Sequence, residues 1–103
     1  MNIAKMLKQA QQMQANLAKT QAELAEKQFE ASVGGGKVKV VANGGGEVLS
    51  IKIDPQVVDP QDVEMLEDLV LSGVQQAIED AKKAASTEMG KLTAGLNIPG
   101  LSL

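Results

Sequence analysis

Near Phe29 the spacing of apolar residues changes from alternating threes and fours to twos, and beyond Asp59 it changes back. A period near 3.6 marks one face of a helix and a period of two marks one face of a strand, so few folds accommodate both changes within 103 residues. Before the first change, Ile3, Met6, Ala10, Met13, Leu17, Thr20 and Leu24 form one narrow stripe with Asn2 placed to cap it, which predicts a helix over residues 2–28. Phe29, Ala31 and Val33, then Val38, Val40 and Ala42, then Leu49, Ile51 and Ile53 alternate with other residues. Glycine-rich junctions at 34–36 and 43–46 separate the three runs, which predicts a three-stranded antiparallel meander over residues 29–54. Pro55 has no amide proton to continue the pairing.

Asp59 followed by Pro60 reads as the N-cap and first residue of a second helix over 60–89. Its seam is Val63, Leu66, Val70, Gly73 and Val74, continued by Ala77, Ala81 and Ala84. Gly73 in a helix interior costs about 1 kcal/mol relative to Ala, which suggests the close approach of another element. Gly90, Gly95, Asn97, Pro99 and Gly100 make residues 90–103 an expected flexible tail.

The chain therefore reads as one α+β domain with an α-β-β-β-α order. A helix of roughly 27 residues is about 40 Å long, whereas a sheet of short strands spans about half of that. Both helices must project beyond the sheet. A projecting stripe of Ile, Leu and Met needs a partner, either the other helix or a second copy packed in coiled-coil fashion, and the small core favours a symmetric homodimer.

The chemistry available is narrow. The sequence has no Cys, His, Trp, Tyr or Arg. Disulfides and thiolate or imidazole metal sites are thereby excluded, and general acid–base work would fall to carboxylates or a desolvated lysine, with no such pair in an apolar setting. The chain reads as a non-enzyme, with no cofactor and no metal implied. "GGGKV" at Gly34–Val38 is not a phosphate loop, because no Ser or Thr follows the lysine and a strand, not a helix, begins there. Asp54, Asp59, Asp62 and Glu64 lack the spacing of a calcium loop and fit capping and solvation. Met6 and Met13 occupy packing positions. No apolar run approaches the roughly 18 residues of a spanning helix, and nothing resembles a secretory signal, so no membrane insertion and a cytoplasmic location are expected.

Charge is segregated along the chain. Residues 1–22 hold three lysines and no acid, whereas residues 54–81 hold eight acids and no lysine, within a net charge of −3. Lys5, Lys8 and Lys19 fall within about 60° of one another on the helix side opposite the apolar stripe, and Gln12 and Asn16 lie on the same line. Such a row is either a solvated face or a contact for a polyanion, with lysines and the amino terminus on phosphates and the amides donating hydrogen bonds. Without Arg there is no forked contact to guanine, and Phe29 alone offers no stacking platform, so any nucleic acid held would be gripped by the duplex backbone. Glu64, Asp68 and Glu79, on the second helix away from its seam, are either solvated or a dock for a basic protein partner.

"KMLKQAQQMQANLAK" at Lys5–Lys19, "GKVKVVANGGGEVLSIKIDP" at Gly36–Pro55 and "MLEDLV" at Met65–Val70 together resemble the bacterial YbaB/EbfC family of nucleoid-associated proteins. The resemblance covers nearly the whole chain. It implies a tweezer-like homodimer with helices projecting from a central sheet, and binding of double-stranded DNA with little sequence preference in the nucleoid of a bacterial or organellar cytoplasm. It places the determinants on the projecting helices, where Lys5, Lys8, Gln12, Asn16 and Lys19 fit, with Lys82 and Lys83 as further candidates. Unlike members with Arg in the second helix, this chain has Glu79 and Asp80 before its two lysines. The alternative is a dimeric adaptor that docks a protein through the acidic second helix and the apolar helix tips.

Overall fold

The computed structural model describes residues 2–94. Helix α1 (Ile3–Glu26) leads into strands β1 (Gln28–Val33), β2 (Val38–Asn43) and β3 (Val48–Ile53); a single 3-10 turn (Pro55–Val57) then precedes helix α2 (Val63–Ala94). The α-β-β-β-α order and the α+β class follow the changes of period. The boundaries differ in three places, each for a local reason.

Helix α1 ends at Glu26 rather than 28, because Lys27 is already extended and its amide closes on the Leu24 carbonyl. Helix α2 starts at Val63 rather than Pro60. The Gln61 amide donates to Asp59 Oδ1 at 2.9 Å and the Asp62 amide to the Asp59 carbonyl at 3.0 Å, so Asp59 closes a turn around Pro60 instead of capping the helix. The cap is Asp62, whose Oδ1 accepts from the Met65 amide at 3.2 Å. At its far end α2 runs through Gly90 to Ala94. One glycine costs about 1 kcal/mol, too little to stop a helix whose next residues continue it. Of the expected tail, 90–94 are thus helical, and 95–103 lie outside the described residues.

The sheet is an antiparallel meander in the order β1-β2-β3. Ala31, Val38, Val40 and Ala42 point to one side and are covered by α2 through Leu66, Leu69, Val70, Val74, Ala77 and Ile78. Val38 and Val40 are 0 % exposed, and burying each is worth roughly 1.5–3 kcal/mol. Gly73 shows why the helix carries small residues on this face: a Cβ there would lie 2.8 Å from Val40 Cγ2. At the base of the meander Lys37 bridges Asp54 at 3.5 Å and also donates to Gln56. The Gln56 amide donating to Asp54 Oδ1 holds that carboxyl below its ordinary value; partial burial opposes this and Lys37 adds to it.

Two parts of the chain stay outside the core. Helix α2 lies over β1 and β2 and reaches β3 only at its margin, so β3 is exposed along its whole length, including Val48, Leu49, Ile51 and Ile53. Helix α1 is the other part. Leu24 is its only buried residue among those described, and Ile3 is 69 % exposed. The extents are 71 × 26 × 16 Å with a radius of gyration of 19.8 Å, against about 13 Å for a compact chain of 100 residues. The helices project.

Candidate nucleic-acid interface

Helix α1 has one buried residue among those described and touches α2 along part of its apolar stripe, where Met13 and Thr20 are half-buried, so the opposite side of the helix is free for other contacts. Lys5, Lys8, Gln12, Asn16 and Lys19 are all exposed on α1. At 100° per residue the five side chains leave the helix within a sector of about 80°, and from Lys5 to Lys19 the row runs about 21 Å along the axis. The Asn2 carboxamide starts the helix cleanly by accepting from the Lys5 amide at 3.2 Å.

The row is also free of ion pairs among the described residues. Among the described residues the ion pairs are Lys37 with Asp54 and Lys91 with Glu88, so none of Lys5, Lys8 and Lys19 has a carboxylate within 4 Å. The nearest acids in sequence are Glu23 and Glu26, at the sheet end of the helix. Ammonium groups that are solvated, unpaired and spaced along a straight rod can each take a phosphate oxygen, and nothing in the row can read a base edge with a fork.

Lys82 and Lys83 are exposed on α2, just past Glu79 and Asp80, and the Gln76 side-chain amide donates to Asp80 at 2.9 Å. They do not join the α1 row in sequence or on one helix, and their local field is mixed. Of the two apolar seams, Ile3, Met6, Ala10 and Leu17 are exposed, Met13 is half-buried and Leu24 is buried. Leu66, Val70 and Val74 pack on the core and Gly73 is buried, whereas Val63 is exposed. No group of three or more acidic side chains among the described residues is placed to hold a metal ion, and no described helix is long and apolar enough to cross a membrane.

Sequence reasoning overlooked the state of β3. Its "VLSIKI" has apolar residues at 48, 49, 51 and 53, which is one too many for a strict alternation and was the available signal for a strand with apolar side chains on both faces. The sheet places the irregularity between Val41 and Ala42, opposite Leu49.

The YbaB/EbfC DNA-binding family model matches residues 1–96. A nucleoid-associated protein of Thermoanaerobacter sp. (strain X514) is 59 % identical over 100 residues, covering 97 % of this chain and 90 % of its own length. A nucleoid-associated protein of Clostridium novyi (strain NT) is 56 % identical over 101 residues, covering 98 % and 89 %. Among solved structures, the crystal structure of an uncharacterized protein from Helicobacter pylori shares the fold, with a TM-score of 0.81 at 17 % identity over 90 % of this chain and 98 % of that one.

Proposed function

The chain belongs to the YbaB/EbfC DNA-binding family, and on that premise we propose that it is a nucleoid-associated homodimer whose α1 arms grip duplex DNA by its phosphates, with little regard to sequence. The observation that carries this reading is the row Lys5, Lys8, Gln12, Asn16 and Lys19, exposed on a projecting helix and free of ion-pair partners among the described residues. Lys82 and Lys83 are subsidiary, since Glu79 and Asp80 offset them. The family is a DNA-binding one, and no catalytic activity is proposed. The expected site of action is the nucleoid, in the cytoplasm. An adaptor role for the acidic second helix has no comparable support.

Binding through phosphates sets a definite salt dependence. If Lys5, Lys8, Lys19 and the amino terminus of both protomers all met phosphates, the dimer would neutralise about eight charges and log affinity would fall with log salt at a slope near −7. The acidic stretch 54–81 opposes the duplex, so the expected slope is about −3 to −5, the same for unrelated sequences. Titrations of two unrelated duplexes at two salt concentrations measure it. Absence of binding near 50 mM salt, or a strong preference for one sequence, would contradict the reading.

The dimer is supported by β3. This edge strand leaves Val48, Ile51 and Ile53 uncovered on the side that α2 occupies over β1 and β2, and Ile51 is 43 % exposed. A second copy of the chain fits that strip, by strand pairing at the open edge or by packing across it. Light scattering at micromolar concentration should give twice the chain mass. Ile51→Asp, tolerated by a lone protomer at that exposure, should weaken the dimer at least about 100-fold by placing an unpaired charge in the interface. An unchanged dimer in that variant would move the interface away from β3.

A further inference from the structure

The face of the sheet turned away from α2 carries a second pair of lysines that the arms do not use. The register sets Lys39 of β2 directly opposite Lys52 of β3, and both are exposed. They line a shallow groove of about 460 Å³ with the Ser50 hydroxyl and the Gln28 amide beside them, Val41 in the floor and Glu30 at the side. Like charges directly opposite across a strand pair repel, and this pair carries that cost with no relief: neither lysine has a carboxylate within 4 Å among the described residues. Lys37, two residues before Lys39, shows the alternative, since it is tied to Asp54 and Gln56. Acids are not scarce, at thirteen against ten lysines.

We propose that this face is a second phosphate-binding surface, which holds the backbone of a further duplex segment while the arms hold the first. The proposal rests on the reading of the arms given above. Two lysines directly opposite, with Cβ atoms about 5 Å apart, can bring their ammonium groups to one phosphate or to neighbouring ones, with Ser50 and Gln28 donating to the remaining oxygens. Bases are not read, for the same want of Arg and aromatic rings. A duplex is favoured over an acidic protein because the face repeats the chemistry of the arms, unpaired lysines with an amide beside them. Along a long DNA molecule the arms also bring further segments of that same molecule close, so a weak second surface suffices. A dimer that buries the α2-side strip of β3 leaves this outer face open. The protein then bridges two segments of DNA instead of merely coating one.

The test uses the full chain, a biotinylated duplex fixed to beads and a fluorescent duplex of unrelated sequence, near 50 mM salt. The wild type should retain the fluorescent duplex. The double variant K39Q/K52Q should retain about tenfold less, while its affinity for a single duplex, read by mobility shift, changes less than about threefold. E30Q should raise retention about two- to threefold, because it removes the one carboxylate of the groove. A purely structural role of these side chains would not move retention in opposite directions. K39Q/K52Q should keep the wild-type mass and melt at or above the wild-type temperature, since it relieves a repulsion. Retention unchanged in K39Q/K52Q, or a second duplex displaced by poly-glutamate more readily than by polyphosphate, would overturn the proposal, the latter in favour of an acidic protein partner. A wild type that shifts no single duplex would overturn the reading of the arms, and is recognised because it fails before the bead experiment begins.

Discussion

Gly44→Ala is expected to lower the melting temperature by about 15 °C, corresponding to roughly 3 kcal/mol for a chain of this size. The reason lies in how α1 is attached. The Gly44 amide donates to the Leu24 carbonyl at 2.9 Å and to the Lys27 carbonyl at 3.1 Å, so the β2–β3 hairpin clasps the last turn of the helix through backbone alone. A Cβ on Gly44 would overlap the Leu24 carbonyl oxygen and lie 2.7 Å from its carbon. Neither atom belongs to a flexible side chain, so the clasp must open. Besides this clasp, α1 is held by Leu24, its only buried side chain among those described, and by a limited contact with α2.

The neighbouring glycine provides the control. A Cβ on Gly45 would meet only the Asn43 side chain, at 3.3 Å from Oδ1, and Gly45→Ala should cost less than about 1 kcal/mol. That Oδ1 also accepts from the Gly45 and Glu47 amides, which organises the hairpin independently of α1. Thermal melts followed by circular dichroism compare the two. Equal melting temperatures would mean that the clasp does not hold the arm.

K5E/K8E is expected to weaken every duplex alike, by at least about 100-fold near 50 mM salt, and to flatten the salt slope by about two to four. In the proposed dimer the double reversal changes the charge by about eight elementary units, counted over two lysines in each of two protomers, and would convert attraction at the tip of each arm into repulsion. Misfolding does not account for such a loss, because the change favours the helix. Lys5 follows the Asn2 cap by three residues; a carboxylate there can reach back to the cap amide, and it faces the positive end of the helix dipole. Helicity should be kept or slightly raised. Unchanged duplex binding in K5E/K8E would make the row a solvated face. Binding kept there but abolished by K82E/K83E would transfer the site to α2.

The row of Lys5, Lys8, Gln12, Asn16 and Lys19 was legible in the sequence because it lies on one helix. Once the helical period is recognised, the angle between two side chains follows from the number of residues between them, and no distant contact enters. The same holds for the three strands, whose period of two is a property of the extended backbone. Boundaries were less legible. Asp59-Pro60 and Asp62 are both competent helix starts, and the choice fell to whichever carboxylate closed a turn with its own neighbours.

Element types, their order and the charged stripe of α1 were thus determined by the sequence alone, since periodicity and charge spacing are local and additive. Tertiary structure alone decided three things. It set which strands α2 covers, leaving β3 bare on both faces although it carries as many apolar residues as β2. It brought Gly44 against the end of α1, a contact twenty residues distant in sequence. It placed Lys39 opposite Lys52, where a shift of one residue would have put an apolar residue across from a lysine. Each depends on how segments far apart in the chain are registered, and that registration is chosen by the shape of the assembled core, which no local pattern contains.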